Sequence, residues 1–375
     1  MKSKTQFNKR QLLTLGTIMM LAPALRLFPG QAIRLAGRAN WLSGFAAMPL
    51  LLFYLYFISR FIGCRRDGEN LQELILRGLG PTLGKIALAL MSAWLLLYAG
   101  FVLRSGSDRL IVTIYPNSAP PPFSVTMGLL ALIAALRDPR SLVRFARMVR
   151  PVLMIVLLLI FIFSLFSIDF GNLLPVTVDD VLPVFTGSLV ATDIIAAMAF
   201  AMCLIVGEAD RSSHKFSSLS VWALGGCLLL TLLSVVITGI FGVELTARLS
   251  LPFFTLVRNL VFFNTVERVE ALVVMLWIFP DFLLVSLYLW AAQHSIRLIL
   301  GYDPVYRGER ITDFSKGRWV IWLSGTAAIL CALFLGSDSR SLNFWSVYII
   351  PISNIGISFV FLPLVYAVGK AKKNY

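Results

Sequence analysis

Three ionisable side chains stand where the neighbouring sequence is otherwise apolar: Arg26, Asp193 and Asp281. An ionised side chain at the centre of a membrane span costs about 3 kcal/mol on insertion scales, so such residues mark binding sites, proton relays or internal pairs. Asp281 follows Pro280 in LWIFPDFLLV. The proline opens the helical ladder beside a carboxylate. That carboxylate can attract a substrate amine, carry a coupling proton, pair with Arg26, or be satisfied by a neighbouring helix with no ligand role. Arg26 lies one turn after Ala22-Pro23-Ala24, and Pro29-Gly30 follows. A helix broken at membrane depth is tolerated only where it lines protein or a cavity. Its freed N–H and C=O groups suit an amino group and a carboxylate. The competing reading is a proline kink with Arg26 snorkelling outward. Asp193, in GSLVATDIIAAMAF, is either an outer-vestibule carboxylate or an interfacial residue.

Catalytic constellations are missing. The two histidines are His214 and His294, and no HExxH, GxSxG or Walker-type loop occurs. Cys64, Cys203, Cys227 and Cys331 form no CxxC pair, so they read as small buried side chains and not as a disulfide framework or zinc site. The expectation is a protein that is not an enzyme and carries no cofactor or metal.

The elements that position these residues are apolar segments. Hydrophobic residues make up 58% of the 375-residue chain and charged residues 14%, against roughly 25% charged in soluble domains. Spans of about 20 apolar residues cross a bilayer as helices. They are predicted at 11–34, 41–59, 84–103, 119–136, 145–167, 185–206, 217–243, 269–294, 319–336 and 344–368. The net charge of +14 belongs to the connections and points to a membrane surface, not nucleic acid. With the N-terminus inside, 24 Lys and Arg fall in cytoplasmic segments and 8 in outer ones, which predicts both termini cytoplasmic. Met1–Arg10 runs into the first apolar stretch as an uncleaved first span. The fold class is therefore an all-α polytopic membrane protein of ten transmembrane helices, forming a single integral membrane domain over 1–375. Two five-helix halves (11–167 and 185–368) would be inverted relative to each other. Asn70–Gly80 and Leu251–Phe263 read as short interfacial helices. Arg137, Arg140, Arg144, Arg147 and Arg150 form a basic stripe suited to anionic headgroups or an acidic partner.

From about Gln11 to Ala371 the chain resembles the B-subunit family of spore germinant receptors, the spore permeases of the amino acid–polyamine–organocation transporter superfamily. The residues that carry this are the first-span segment ending in Pro29, Gly78-Leu79-Gly80, Asn172-Leu173-Leu174-Pro175, and Glu267-Arg268-Val269-Glu270 with Trp277 beyond. The resemblance implies a broken-helix fold of two inverted five-span repeats and a pocket at breaks in spans one and six, walled by spans three and eight. By position, the first break falls on Ala22, Pro23 and Ala24, where relatives often carry glycine, with Arg26 one turn on. The span-three wall falls on Tyr98 and Phe101, with Arg104 at its outer end. The sixth-span break falls near Met198, Ala199 and Phe200, though no Gly or Pro marks it here. The span-eight wall falls on Trp277, Asp281 and Leu284. The implied setting is the inner spore membrane, with an A-type subunit and a lipoprotein C-type subunit as partners beside membrane lipids.

The expected function is a germinant-receptor membrane subunit that binds a small nutrient, an amino acid above all, and triggers germination through its partners. The alternatives are an autonomous amino acid permease, proton-coupled through Asp281, and an ion- or water-conducting element gated by partners.

Overall fold

Proline positions decide where several helices begin and where three are disturbed. Pro81, Pro120 and Pro139 each open a helix, where the missing N–H is an orphan anyway. Pro23, Pro151 and Pro280 sit inside helices, and each deprives the carbonyl four residues back of its usual donor. The computed structural model describes residues 7–115, 117–210, 215–259, 270–302, 317–335 and 339–375, with side chains for all of these except 270–273, 318 and 339.

In chain order the helices are α1 Lys9–Arg26, α2 Phe28–Ala36, α3 Ser43–Ala46, α4 Met48–Gly63, α5 Leu71–Leu79, α6 Pro81–Thr113, α7 Pro120–Ala135 and α8 Pro139–Leu165. They continue as α9 Val181–Cys203, α10 Phe216–Arg248, α11 Pro252–Asn259, α12 Glu270–Leu300, α13 Arg318–Phe334, α14 Ser339–Phe344, α15 Ile350–Gly356 and α16 Leu362–Ala371. Two π-helical turns, Trp345–Ile349 and Ile357–Phe361, join the last three into one track. Among the described residues the sole β-type pairing is an isolated bridge between Phe7 and Ala209.

Seven helical stretches are long and apolar enough to cross a membrane, and Pro120–Ala135 and Trp319–Phe334 are shorter apolar helices. One of the seven, Phe28–Gly63, is divided at Gly37. That glycine has φ +55°, a left-handed conformation that ends α2 and turns the chain back. Helices here are apolar outside as well as inside: Leu90, Val221, Ile155 and Trp322 are exposed on the bundle surface. Apolar burial alone therefore does not order them, and close backbone approach and buried polar bonds do that work. At Gly100 on α6, an added Cβ would stand 2.9 Å from the Ala328 carbonyl and 3.1 Å from the Ala332 nitrogen of α13.

Two groups of connections gather at opposite ends of the bundle. At one end the Phe7 nitrogen donates to the Glu208 carbonyl at 3.1 Å, and Arg140 pairs with the Glu208 carboxylate at 2.5 Å. Arg77 joins Glu69 at 2.8 Å and donates to the Asn374 carbonyl at 2.8 Å. Phe7 and Asn374 thus lie at the same end. At the other, Arg38 donates to the Leu174 carbonyl at 2.8 Å and Asn172 to that of Gly239 at 2.9 Å. The basic stripe is partly internal: Arg140 turns to Glu208, and Arg150 donates to the Thr14 hydroxyl at 3.3 Å.

The expected breaks differ. Ala22, Pro23 and Ala24 stay helical within α1, and the interruption is the single residue Leu27. Leu27 keeps nearly helical angles, donates to the Pro23 carbonyl at 2.8 Å and accepts from the Gln31 nitrogen at 3.0 Å. The ladder resumes at once, so the first segment does not unwind. α9 runs unbroken through Met198, Ala199 and Phe200, as expected of a stretch without Gly or Pro. Helices are present at both of these places, as α5 and α11, each with most of its residues buried; residues 260–263, His214 and Glu267–Val269 lie outside the described residues.

Candidate functional site

α6 runs for 33 residues, ten beyond the expected end of the third span. No proline interrupts Arg104–Arg109 and the helix continues through Gly106, so it carries these charges into the bundle instead of releasing them to a loop. Tyr98, Phe101, Ser105 and Arg109 recur at three- and four-residue spacing and share one face. All four are buried.

The charges on this face pair selectively. The Arg109 guanidinium meets the Asp281 carboxylate of α12 in a buried ion pair. Its guanidinium carbon also lies 5.6 Å from the Trp277 ring centre. Arg104 Nε faces Asp108 Oδ1 at 3.2 Å, one turn on. Arg26 from α1 arrives beside them, its guanidinium 5.2 Å above the Phe101 ring. It makes no ion pair or hydrogen bond among the described residues, and its buried Nε has no acceptor. Three arginines thus face two carboxylates, and the excess positive charge rests at Arg26. Its field is shared with Arg109, Asp281 and the Tyr98 hydroxyl.

Tyr98 connects this centre to a second one. Its ring lies 6.2 Å from Phe101 and 5.3 Å from Tyr288 of α12. Its hydroxyl is within electrostatic reach of Arg26, Asp281 and Asp193, and beside the Asn354 amide. Asp193 of α9 is 3% exposed and accepts from Asn354 Nδ2 of α15 at 2.9 Å. Asn354 itself lies between the two π-helical turns, a helix irregularity that is common at functional sites.

Of the residues expected at the site, Arg26, Tyr98, Phe101, Trp277 and Asp281 come together. Asp281 pairs with Arg109 and not with Arg26. Ala22, Pro23 and Ala24 are buried on α1, and Leu284 is buried one turn from Asp281. Met198, Ala199 and Phe200 are buried on α9, and Ala199 lines a small apolar cavity of about 10 Å³ with Leu12, Met202 and Cys203. Leu12 is about 20 Å from Arg26 along α1 at helical rise. A second cavity, of 220 Å³, lies at the opposite end beside Leu42, Val176 and Phe185. Neither touches Arg26, Asp193 or Asp281, and Tyr98, Arg109, Asp193 and Asp281 are each at most 4% exposed. Those four side chains are packed closed, while Arg26 beside them is partly exposed. Sequence reasoning missed Arg109 and Asn354. The three-turn spacing of Arg109 from Tyr98 was the available signal for the first; for Asn354 it was a lone amide in an apolar segment.

A family model described as spore germination protein, the spore permease model, matches residues 6–307. The chain belongs to the spore permease family. Spore germination protein KB of Bacillus subtilis (strain 168) is similar to it, with 21% identity over 99% of this chain and 98% of the relative. The structure is similar to that of Mhp1, a nucleobase-cation-symport-1 family transporter in a closed conformation with bromovinylhydantoin bound. That similarity has a TM-score of 0.62 at 13% identity, covering 97% of this chain and 78% of Mhp1. The spore permease thus shares a transporter fold and is a germinant receptor or permease-like membrane protein, not an enzyme.

Proposed function

We propose that this spore permease is the membrane subunit of a spore germinant receptor and that Arg26 takes the carboxylate of a small nutrient, an amino acid in particular. One observation carries the reading: among the described residues Arg26 has no ion-pair or hydrogen-bond partner and is held over Phe101, while Asp281 is committed to Arg109 and Asp108 to Arg104. A partly buried guanidinium left with free donors is a receptor for a planar anion. The Asp281–Arg109 pair then acts as the fixed wall of the site and Tyr98 as its polar lining. Supporting the ten-span, inverted-repeat arrangement are the alternation of connections between two ends and the transporter fold.

The closed packing gives ligand binding something to act on. A nutrient that reaches Arg26 must favour one arrangement of α1 against α6 and α12, and it shifts the population only by its unequal affinity for the two states. In this reading A-type and lipoprotein C-type subunits in the inner spore membrane sense the shift, and both termini face the cytoplasm. Autonomous uptake of amino acids is the second reading, favoured by the likeness to a transporter. Spores carrying Arg26→Gln test the proposal by nutrient dose–response, with membrane levels of the protein checked in parallel. The proposal predicts a response shifted to much higher nutrient concentration or abolished; an unchanged curve removes Arg26 from the site.

A further inference from the structure

Among the described residues, six charged side chains gather around Tyr98, Phe101 and Trp277 from α1, α6, α9 and α12: Arg26, Arg104, Asp108, Arg109, Asp193 and Asp281. Four are already matched, Arg104 with Asp108 and Arg109 with Asp281. The two left over have opposite sign. Arg26 has no ionic partner, and Asp193 has only a neutral amide, Asn354 Nδ2 at 2.9 Å. They do not pair with each other, yet the Tyr98 hydroxyl is within electrostatic reach of both.

Their heights agree as well. An added Cβ at Gly226 would meet the Met20 Sδ of α1 at 3.2 Å and the Ile195 Cδ1 of α9 at 3.3 Å, so the ends of those two side chains meet at one level, from which the heights below are counted. α1 and α9 run in opposite directions. Arg26 therefore lies about 9 Å, and Asp193 about 3 Å, further towards the same end of the bundle, at 1.5 Å of rise per residue. Pro23 lies between them at about 4.5 Å by the same count. Its missing N–H leaves the Met19 carbonyl short of a helical donor. Helical side chains lean towards the helix N-terminus, so Arg26 leans back over the Pro23 level.

We infer that Asp193 is the receptor for the cationic end of a zwitterionic ligand whose anionic end lies at Arg26, with Tyr98 bridging the two and Asn354 holding the Asp193 oxygen until the ligand arrives. This deepens the reading above and rests on it. A carboxylate enclosed by low-dielectric surroundings and given only one neutral donor is under-compensated. An ammonium supplies the charge and several donors that the amide cannot. Asp281 is excluded from this role because Arg109 already occupies it. Displacing Asn354 from Asp193 also frees the helical track between the two π-helical turns, so the cationic end of the ligand acts on α15 and its anionic end on α1.

The test uses the purified full-length protein in detergent, with thermal stabilisation read as a function of ligand concentration. The probes are the proteinogenic L-amino acids, tried singly, and then the strongest of them beside its des-amino carboxylic acid. Wild type should prefer the amino acid over the des-amino acid by about tenfold or more, the worth of a buried charge-assisted bond. Asp193→Asn keeps the shape and the Asn354 contact, and it should erase that preference while leaving affinity for the des-amino acid unchanged. Asp193→Glu should restore part of it. The unliganded melting temperature of each variant reports whether it folds; if Asp193→Asn does not, the comparison is made with Asp193→Ser, which also removes the carboxylate and should lose the preference in the same way, a persisting preference there overturning the inference likewise. A preference that persists in Asp193→Asn overturns this inference alone. If no amino acid stabilises wild type, the amino acid reading itself falls and this assignment with it.

Discussion

Asp281 of α12 and Arg109 of α6 form a buried ion pair, each residue 4% exposed. The pair ties together two helices that pack along much of their length. Removing one partner leaves the other charge buried and uncompensated, at about 3–5 kcal/mol. Asp281→Ala and Arg109→Ala should therefore each lower the melting temperature sharply or reduce the folded yield. The double change Arg109→Gln, Asp281→Asn should be more stable than either alanine variant. Strictly additive losses would show that the two side chains do not depend on each other.

Phe101 is the platform on which the Arg26 guanidinium rests, at 5.2 Å. Phe101→Leu keeps most of the volume and removes the ring quadrupole, a loss of about 0.5–2 kcal/mol. The clean measurement is a double-mutant cycle with Arg26→Gln by thermal or chemical denaturation. A coupling near zero would mean that the ring only fills space.

How much of this was readable in advance depends on the residue. Arg26 and Asp281 stood out because a charge in an apolar run is conspicuous. Asp193 stood out too, but its amide partner is more than 150 residues away in sequence and no local pattern joins them. Arg109 lies beyond the apolar run 84–103 because hydropathy falls at Arg104, whereas the helix continues to Thr113 with its charges paired inward. The apolar spans were legible since 20-residue periodicity in hydropathy is a property of the chain alone. The break at Pro23 was overread: proline removes one bond, and whether a helix then unwinds depends on the neighbouring donors. Here the Leu27 nitrogen reaches the Pro23 carbonyl and the helix resumes at Phe28. The same limit applies to Met198–Phe200, placed at the site by resemblance and found in a continuous helix.

Gly100 permits the close approach of α6 and α13, with the Ala328 carbonyl 2.9 Å from where a Cβ would stand. Gly100→Val should separate the helices and cost a few kcal/mol, in the range of ~1–3 for overpacking. Gly225, in α10, has open space around it. Gly225→Ala should stabilise by about 0.4–1 kcal/mol through the unfolded chain. Melting temperatures that move in opposite directions support this packing; a tolerated Gly100→Val contradicts it.

Tyr375 fastens the last residues to the loop-rich end of the bundle. Its hydroxyl donates to the Leu74 carbonyl at 3.1 Å, its ring stacks near Tyr366, and the Arg77 guanidinium lies 5.3 Å from the ring centre. Burial among these groups pushes the phenol above its usual range, so it stays neutral and keeps that donated bond across physiological pH. Tyr375→Ala should cost about 1–3 kcal/mol and make the segment around Arg77 more open to limited proteolysis. Tyr375→Phe should lose only the hydroxyl bond, about 1 kcal/mol. Equal protease resistance of wild type and Tyr375→Ala would show that the tail fastens nothing.

The claim on which the account turns is that Arg26 is held uncompensated so that a nutrient carboxylate can neutralise it. The most direct measurement is the thermal stabilisation of purified protein by the best-binding amino acid and by its carboxamide, in wild type and in Arg26→Gln. The account predicts that wild type prefers the carboxylate by about tenfold or more and that Arg26→Gln shows no preference between the two. Equal stabilisation of wild type by both ligands, or an undiminished preference in Arg26→Gln, would contradict it.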